Sequence, residues 1–128
     1  MNKKGCKLNK KIGTITKRII KILNLDYTEE KPIFIGKSNI EHMAREHPRD
    51  FEKYNSKIEE IIKKPTYIAR NEKKKSIEFI RKYKIDKEDY VLVVVRVSSN
   101  NINFVRTMYV IADEKVNKYF KHKYFYKF

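Results

Sequence analysis

The run Tyr90-Val91-Leu92-Val93-Val94-Val95-Arg96-Val97-Ser98 limits what this chain can become more than any other stretch. Side chains alternate along a strand, so Val91, Val93, Val95 and Val97 point one way and Tyr90, Leu92, Val94, Arg96 and Ser98 the other. A face made wholly of valine must be taken out of water, and the helices that precede it in the chain are the expected cover. Neighbouring strands are legible. Thr66 to Arg70 is β-rich, Asn71 to Lys75 is a polar turn, and Ser76 to Tyr83 alternates Ile77, Phe79 and Arg81 against Glu78, Ile80 and Lys82. Ser98 to Asn103 reads as a turn and Phe104 to Ala112 as the returning strand. A slip of one residue there interchanges Arg106 with Thr107, so both remain candidates for the open side.

Helical spacing dominates the first half. Ile12, Ile15, Ile19, Ile20 and Leu23 predict an amphipathic helix over roughly 12 to 24. It would dock on the core or lie on an anionic surface. Pro32 precedes a short extended segment, Ile33 to Ile35, which Gly36 ends. Ser38 with Glu41 forms a capping-box pattern, so a helix should start near residue 39 and bury Ile40, Met43, Ala44 and His47. Pro48 disfavours helical geometry at His47 and suits the first turn of the next helix. That helix carries Phe51, Tyr54, Ile58, Ile61 and Ile62 and stops at Lys63-Lys64-Pro65. Asp113 opens a last short helix to about 121. The tail to Phe128 interleaves aromatics with cations, a pattern that either closes the core or stacks on bases.

The expected architecture is one α+β domain over residues 1–128, with N-terminal helices packed on one face of a roughly four-stranded antiparallel sheet. Within it, 1–11 is a frayed basic start, 12–31 an amphipathic helix and connection, 32–112 the core helices and sheet, and 113–128 the C-terminal helix and aromatic, basic tail. Lys and Arg number 31 against 16 Asp and Glu, a net charge of +15. Such an excess suits a polyanionic partner, most simply nucleic acid, unless it reflects a general lysine bias. Cys6 stands alone, which excludes a disulfide framework and fits a reducing compartment. No apolar run nears transmembrane length and no secretion signal is visible, so no membrane is expected, and the host cytoplasm is the expected location.

Two of the three histidines, His42 and His47, fall on one short helix. Five residues apart, they lie about 140° apart around it, unlike the i, i+4 pair that shares a zinc. No metal and no cofactor is expected, and the scattered glycines offer no phosphate loop. What remains suits metal-free RNA cleavage, which needs a base for the 2′-hydroxyl, an acid for the departing 5′-oxygen, and cations or hydroxyls around the phosphorane. His42, His47, Arg96, Arg106, Thr107 and Tyr109 are of those types and fall on adjoining elements. A histidine continuing an apolar face is also commonly structural.

From Pro32 to Tyr109 the chain resembles the phage-encoded members of the barnase, EndoU, colicin and RelE-like nuclease superfamily. The likeness rests on the extended Ile33 to Ile35, the helix with His42-x-x-x-x-His47-Pro48, the helix ending at Lys64-Pro65, and the strand with Val105-Arg106-Thr107-Met108-Tyr109. The resemblance implies helices on a four-stranded antiparallel sheet and metal-independent ribonuclease activity, in phage, mobile-element or toxin proteins. By it, His42 and His47 match the helix histidines, and Arg106, Thr107 and Tyr109 the last-strand motif. Arg96 is nominated by strand geometry alone. The sequence shows no tryptophan and no evidently placed strand glutamate, so a histidine would have to serve as base.

The expected function is therefore an endoribonuclease acting on RNA, with tRNA a candidate, which leaves a 2′,3′-cyclic phosphate. His42 would be base or acid, His47 its partner, Arg96 and Arg106 the phosphate clamp, and Thr107 and Tyr109 auxiliary donors. A toxin role would add an acidic immunity or antitoxin protein as partner. The alternatives are a non-catalytic nucleic-acid-binding module and a phage-borne domain that engages an acidic host protein.

Overall fold

Burial on both sides makes the valine-rich strand the centre of the molecule. The computed structural model describes residues 9–97, 102–121 and 125–128. In it, strand β5 (Glu88–Val97) pairs antiparallel with β4 (Ser76–Lys84) on one side and with β6 (Asn103–Val110) on the other. Val91, Val93 and Val95 are fully buried in the larger core, while Leu92 and Val94 enter a second, smaller core on the opposite face.

The sheet extends beyond the expected four strands. Its order is β1-β2-β6-β5-β4-β3-β7, seven strands in all, with β1 at Lys10–Ile15, β2 at Lys31–Ile35, β3 at Tyr67–Asn71 and β7 at Phe125–Lys127. It is not wholly antiparallel either, since β2 runs parallel to β6, pairing Ile33 with Asn103 and Phe34 with Phe104. The added strands are short and lie at or near the edges, where their partners are distant in sequence.

The first expected helix divides. Lys10–Ile15 is strand, Thr16 is the N-cap whose hydroxyl accepts from the Ile19 N–H at 3.3 Å, and helix α1 covers only Lys17–Leu23. Ile12 and Ile15 belong to the strand, and their spacing joined the next helix's Ile19 and Leu23 by coincidence of period. Asn24 ends α1 in the left-handed region, and the Arg70 guanidinium donates to its carbonyl at 2.9 Å. Residues 1–8 of the expected frayed start, Ser98 to Asn101 of the expected turn, and His122 to Tyr124 of the tail lie outside the described residues.

Helices α1, α2 (Lys37–Glu46), α3 (Pro48–Tyr54) and α4 (Ile58–Lys63) carry the side chains that meet the valine face, among them Ile19, Met43, Tyr54, Ile61 and Ile62. The expected single helix after Pro48 is broken by a 3-10 turn at Asn55–Lys57. Just before that break, Tyr54 donates to the buried Asp89 carboxylate at 2.5 Å, and Lys53 reaches the same oxygen at 3.2 Å. Burial, then that hydrogen bond, pushes the Tyr54 phenol up to about 12. The last helix, α5 (Asp113–Lys121), lies on the other face, where Val116 and Tyr119 with Phe125 of β7 cover Ile80 and Leu92. Helical cover is thus not confined to one face. No helix among the described residues is long and apolar enough to cross a membrane.

Close approach of α4 to β1 explains Gly13. The strand is irregular between Lys11 and Gly13, and a Cβ on Gly13 would stand 2.6 Å from Ile62 Cγ2. That branched atom is fixed by its own burial and cannot swing aside. Gly13→Ala is expected to lower unfolding free energy by about 1–3 kcal/mol, read as a shift of the urea midpoint at unchanged slope.

Candidate active site

The helix-to-helix elbow starts the site. Gly36, not Ser38, caps α2, and its N–H is accepted by the Asn39 side chain at 2.8 Å, which supplies the reciprocal contact expected of Glu41. The helix therefore begins two residues early. Its buried residue is Met43, whereas Ile40 is 41 % exposed, so the inward face is narrower than the spacing predicts.

Pro48 ends this helix and begins the next, leaving His47 as the hinge with φ −137° and ψ 63°. The His47 N–H still donates to Met43 at 2.9 Å, and its carbonyl accepts from Phe51 at 2.8 Å. Released from the helical path, the imidazole stacks on Tyr109 with ring centroids 5.0 Å apart and planes 28° apart. One turn later the Asp50 carboxylate accepts from the Val110 N–H at 3.0 Å. These two contacts, on consecutive residues of β6, pin the elbow to the strand edge beyond the stretch that β2 pairs.

Register decides what shares the face with Tyr109. Thr107 pairs with Val94 but Val105 with Val95, so Arg106 is the extra residue of a β-bulge. The bulge resolves the open alternative. Val105 and Met108 go into the larger core, Thr107 and Tyr109 share the side of Val94 and Leu92, and Arg106 is exposed. Three cross-strand rows result on this face: Ser76, Arg96 and Phe104; Glu78, Val94 and Thr107; Ile80, Leu92 and Tyr109. Arg96 is exposed in the middle of the first row, and Thr107 is half-buried in the second.

A strand carboxylate therefore does occupy this surface, contrary to the sequence expectation. Glu78 stands two strands from Thr107, about 10 Å across the sheet, and is half-buried. Burial raises its pKa, while the Asn71 side chain and Lys74 pull it back. The signal in the sequence was a glutamate among Ile77, Phe79 and Ile80, though whether its face was covered could not be read there. Tyr109 links the groups. Burial, then the Tyr119 hydroxyl 3.4 Å away, and then the Glu78 charge hold its phenol far above the ordinary value, so it is a neutral donor at any working pH.

His47 and Tyr109 are thus in contact, with Thr107, Arg96 and Glu78 sharing the sheet face beside them. His42 is half-buried on α2. Among the described residues no hydrogen bond joins it to His47, and none engages the side chains of Arg96, Arg106 or Thr107. No group of three or more His, Cys, Asp or Glu side chains among the described residues could hold a metal ion.

Asp50→Ala removes the only hydrogen bond that ties α3 to β6 among the described residues, and is expected to cost about 1–2 kcal/mol in urea unfolding, with Asp50→Asn retaining most of the stability. For Glu78, a raised folded-state pKa means the stability it contributes is full below its ordinary value of 4.5 and is lost as pH rises through the raised value. Glu78→Gln should therefore be the more stable protein at neutral pH and lose that advantage toward pH 4.5, when unfolding is followed across the interval.

No curated protein and no solved structure matches the chain. A family model described as phage-Barnase-EndoU-ColicinE5/D-RelE like nuclease3 matches residues 10–118, from the start of β1 into α5. The match takes in the elbow, the three rows of the sheet face and the bulge, and on it the chain belongs to this phage-associated nuclease family.

Proposed function

We propose that the protein is a metal-independent endoribonuclease, with tRNA among its candidate substrates, that cleaves by attack of the 2′-hydroxyl on the adjacent phosphate. The carrying observation is that the two possible proton carriers converge on one surface: His47 stacks on Tyr109, and Tyr109 and Glu78 line the same groove. In the proposed reaction the Glu78 carboxylate takes the 2′-hydroxyl proton as the O2′–P bond forms. The P–O5′ bond breaks, and protonated His47 gives its proton to the leaving oxygen, so that a 2′,3′-cyclic phosphate and a 5′-hydroxyl result.

A carboxylate whose proton affinity is raised by burial suits the base, because proton abstraction improves as that affinity nears the working pH. Arg96 and Arg106 would neutralise the phosphorane oxygens, with Thr107 and the neutral Tyr109 phenol as donors. His42, five residues before the hinge, is retained as a positioning group for His47 or as an alternative proton carrier. Were the chain a toxin, an acidic antitoxin would cover this cationic face.

Incubation with total RNA in EDTA should release fragments ending in a cyclic phosphate. His47→Ala and Glu78→Gln should each slow cleavage by about 10²-fold or more, with a bell-shaped pH profile that loses its acidic limb in Glu78→Gln. Intact RNA at high protein concentration, or full activity in both variants, would leave a nucleic-acid-binding module instead.

A further inference from the structure

A groove of about 880 Å³ opens beside the proposed catalytic face. Glu78 and Tyr109 form part of its lining, Tyr119 stands over them, and its two banks carry Lys73 and Lys74 from the β3–β4 turn and Lys115 and Lys118 from α5. None of these four lysines enters an ion pair among the described residues, whereas Lys53, Lys57, Lys82 and Lys87 each have an acidic partner.

The groove does not stay on one face. It also takes in Leu23 and Asn24 at the end of α1, with Arg70 and Tyr126. The reason lies in the sheet edge: β7 pairs with Tyr67, Ile68 and Ala69, whereas Arg70 and Asn71 are paired with β4 alone and leave the outer edge of β3 open among the described residues. The lining therefore bends around that edge. Tyr126, paired with Ile68, lies on the far side of the bend with half of its ring surface open, at 51 % exposure.

We propose that this groove is a track for single-stranded RNA flanking the cleaved phosphate, an inference that rests on the ribonuclease reading above. The lysines of the two banks hold successive phosphates, and Tyr126 stacks a base where the strand turns over the sheet edge. Size and shape exclude a duplex. The volume falls within the range of roughly 300–1,000 Å³ that houses a small ligand, enough for one or two nucleotides, and a rigid A-form helix cannot follow the bend. An unstacked strand can do both, and aromatic stacking of splayed bases is how single strands are commonly held.

The test uses fluorescent 2′-O-methyl oligonucleotides, which cannot be cleaved, in anisotropy titrations across a range of salt. The single strand should bind at least tenfold more tightly than the same sequence as a duplex. Lys115→Ala with Lys118→Ala, and Lys73→Ala with Lys74→Ala, should each weaken binding several-fold and reduce the salt slope by about 0.7, the value for one phosphate contact per bank on a single strand. The corresponding arginine pairs should restore both. Tyr126→Ala should weaken binding several-fold without changing the slope.

Equal affinity for duplex and single strand, an unchanged slope in both lysine pairs, or equal binding of a poly-glutamate peptide of matched charge would overturn the track. Because the oligonucleotides need no chemistry, these outcomes are separate from failure of the ribonuclease reading. A protein that binds as described but leaves RNA intact keeps the groove and loses the catalyst.

Discussion

Two-sided burial of β5 is the constraint on which everything else hangs. Each buried Val or Leu side chain is worth roughly 1.5–3 kcal/mol, so Val91, Leu92, Val93, Val94 and Val95 together rival the net stability of a whole domain, about 5–15 kcal/mol. The chain has to cover both faces. Helices α1 to α4 cover most of one, burying Val91, Val93 and Val95, whereas α5 and β7 cover a smaller part of the other. Along β5 the second cover thins from Leu92, fully buried, through Val94 to the exposed Arg96. Glu78, Thr107 and Tyr109 flank β5 along this transition, where a carboxylate is dry enough to have its pKa raised and still reachable by a ligand.

Much of this was legible from residues. The β5 alternation, the Pro48 break at His47, and the stop at Lys64-Pro65 each follow from a local rule that no tertiary contact opposes. The division of β4 into a face with Ile77 and Phe79 and one with Glu78 and Ile80 was also readable, yet its meaning was not. Glu78 became a candidate only when pairing placed it in the row of Val94 and Thr107. What sequence could not supply was long-range partnership. β1 was lost because Ile12 and Ile15 fell in step with the helix that follows. Three residues of β7 need the edge of β3 to be a strand at all.

The bulge at Arg106 shows the same limit in a smaller compass. A period of two makes Arg106 and Thr107 mutually exclusive on the open side, and nothing in Val105 to Tyr109 says where the phase changes. Pairing with β5 places the change between Val105 and Thr107, which keeps both Val105 and Met108 in the larger core. Apolar residues on either side of the extra one are what make the irregular backbone the cheaper arrangement. The exposed guanidinium is a by-product of satisfying them, and it lies on the strand that also carries Thr107 and Tyr109.

The parallel pairing of β2 with β6 also bears on how the molecule comes into being. These strands are far apart in the chain, and β2 leads through α2 to the elbow carrying His47. Local hairpins such as β3 with β4 can close early, but contacts of such wide sequence separation carry a large loop-closure cost and form slowly. The His47 elbow and β6 therefore meet only in the late stages of folding. A nascent or half-folded chain holds His47 and Tyr109 apart, so the arrangement proposed for cleavage comes into being only when assembly is nearly done.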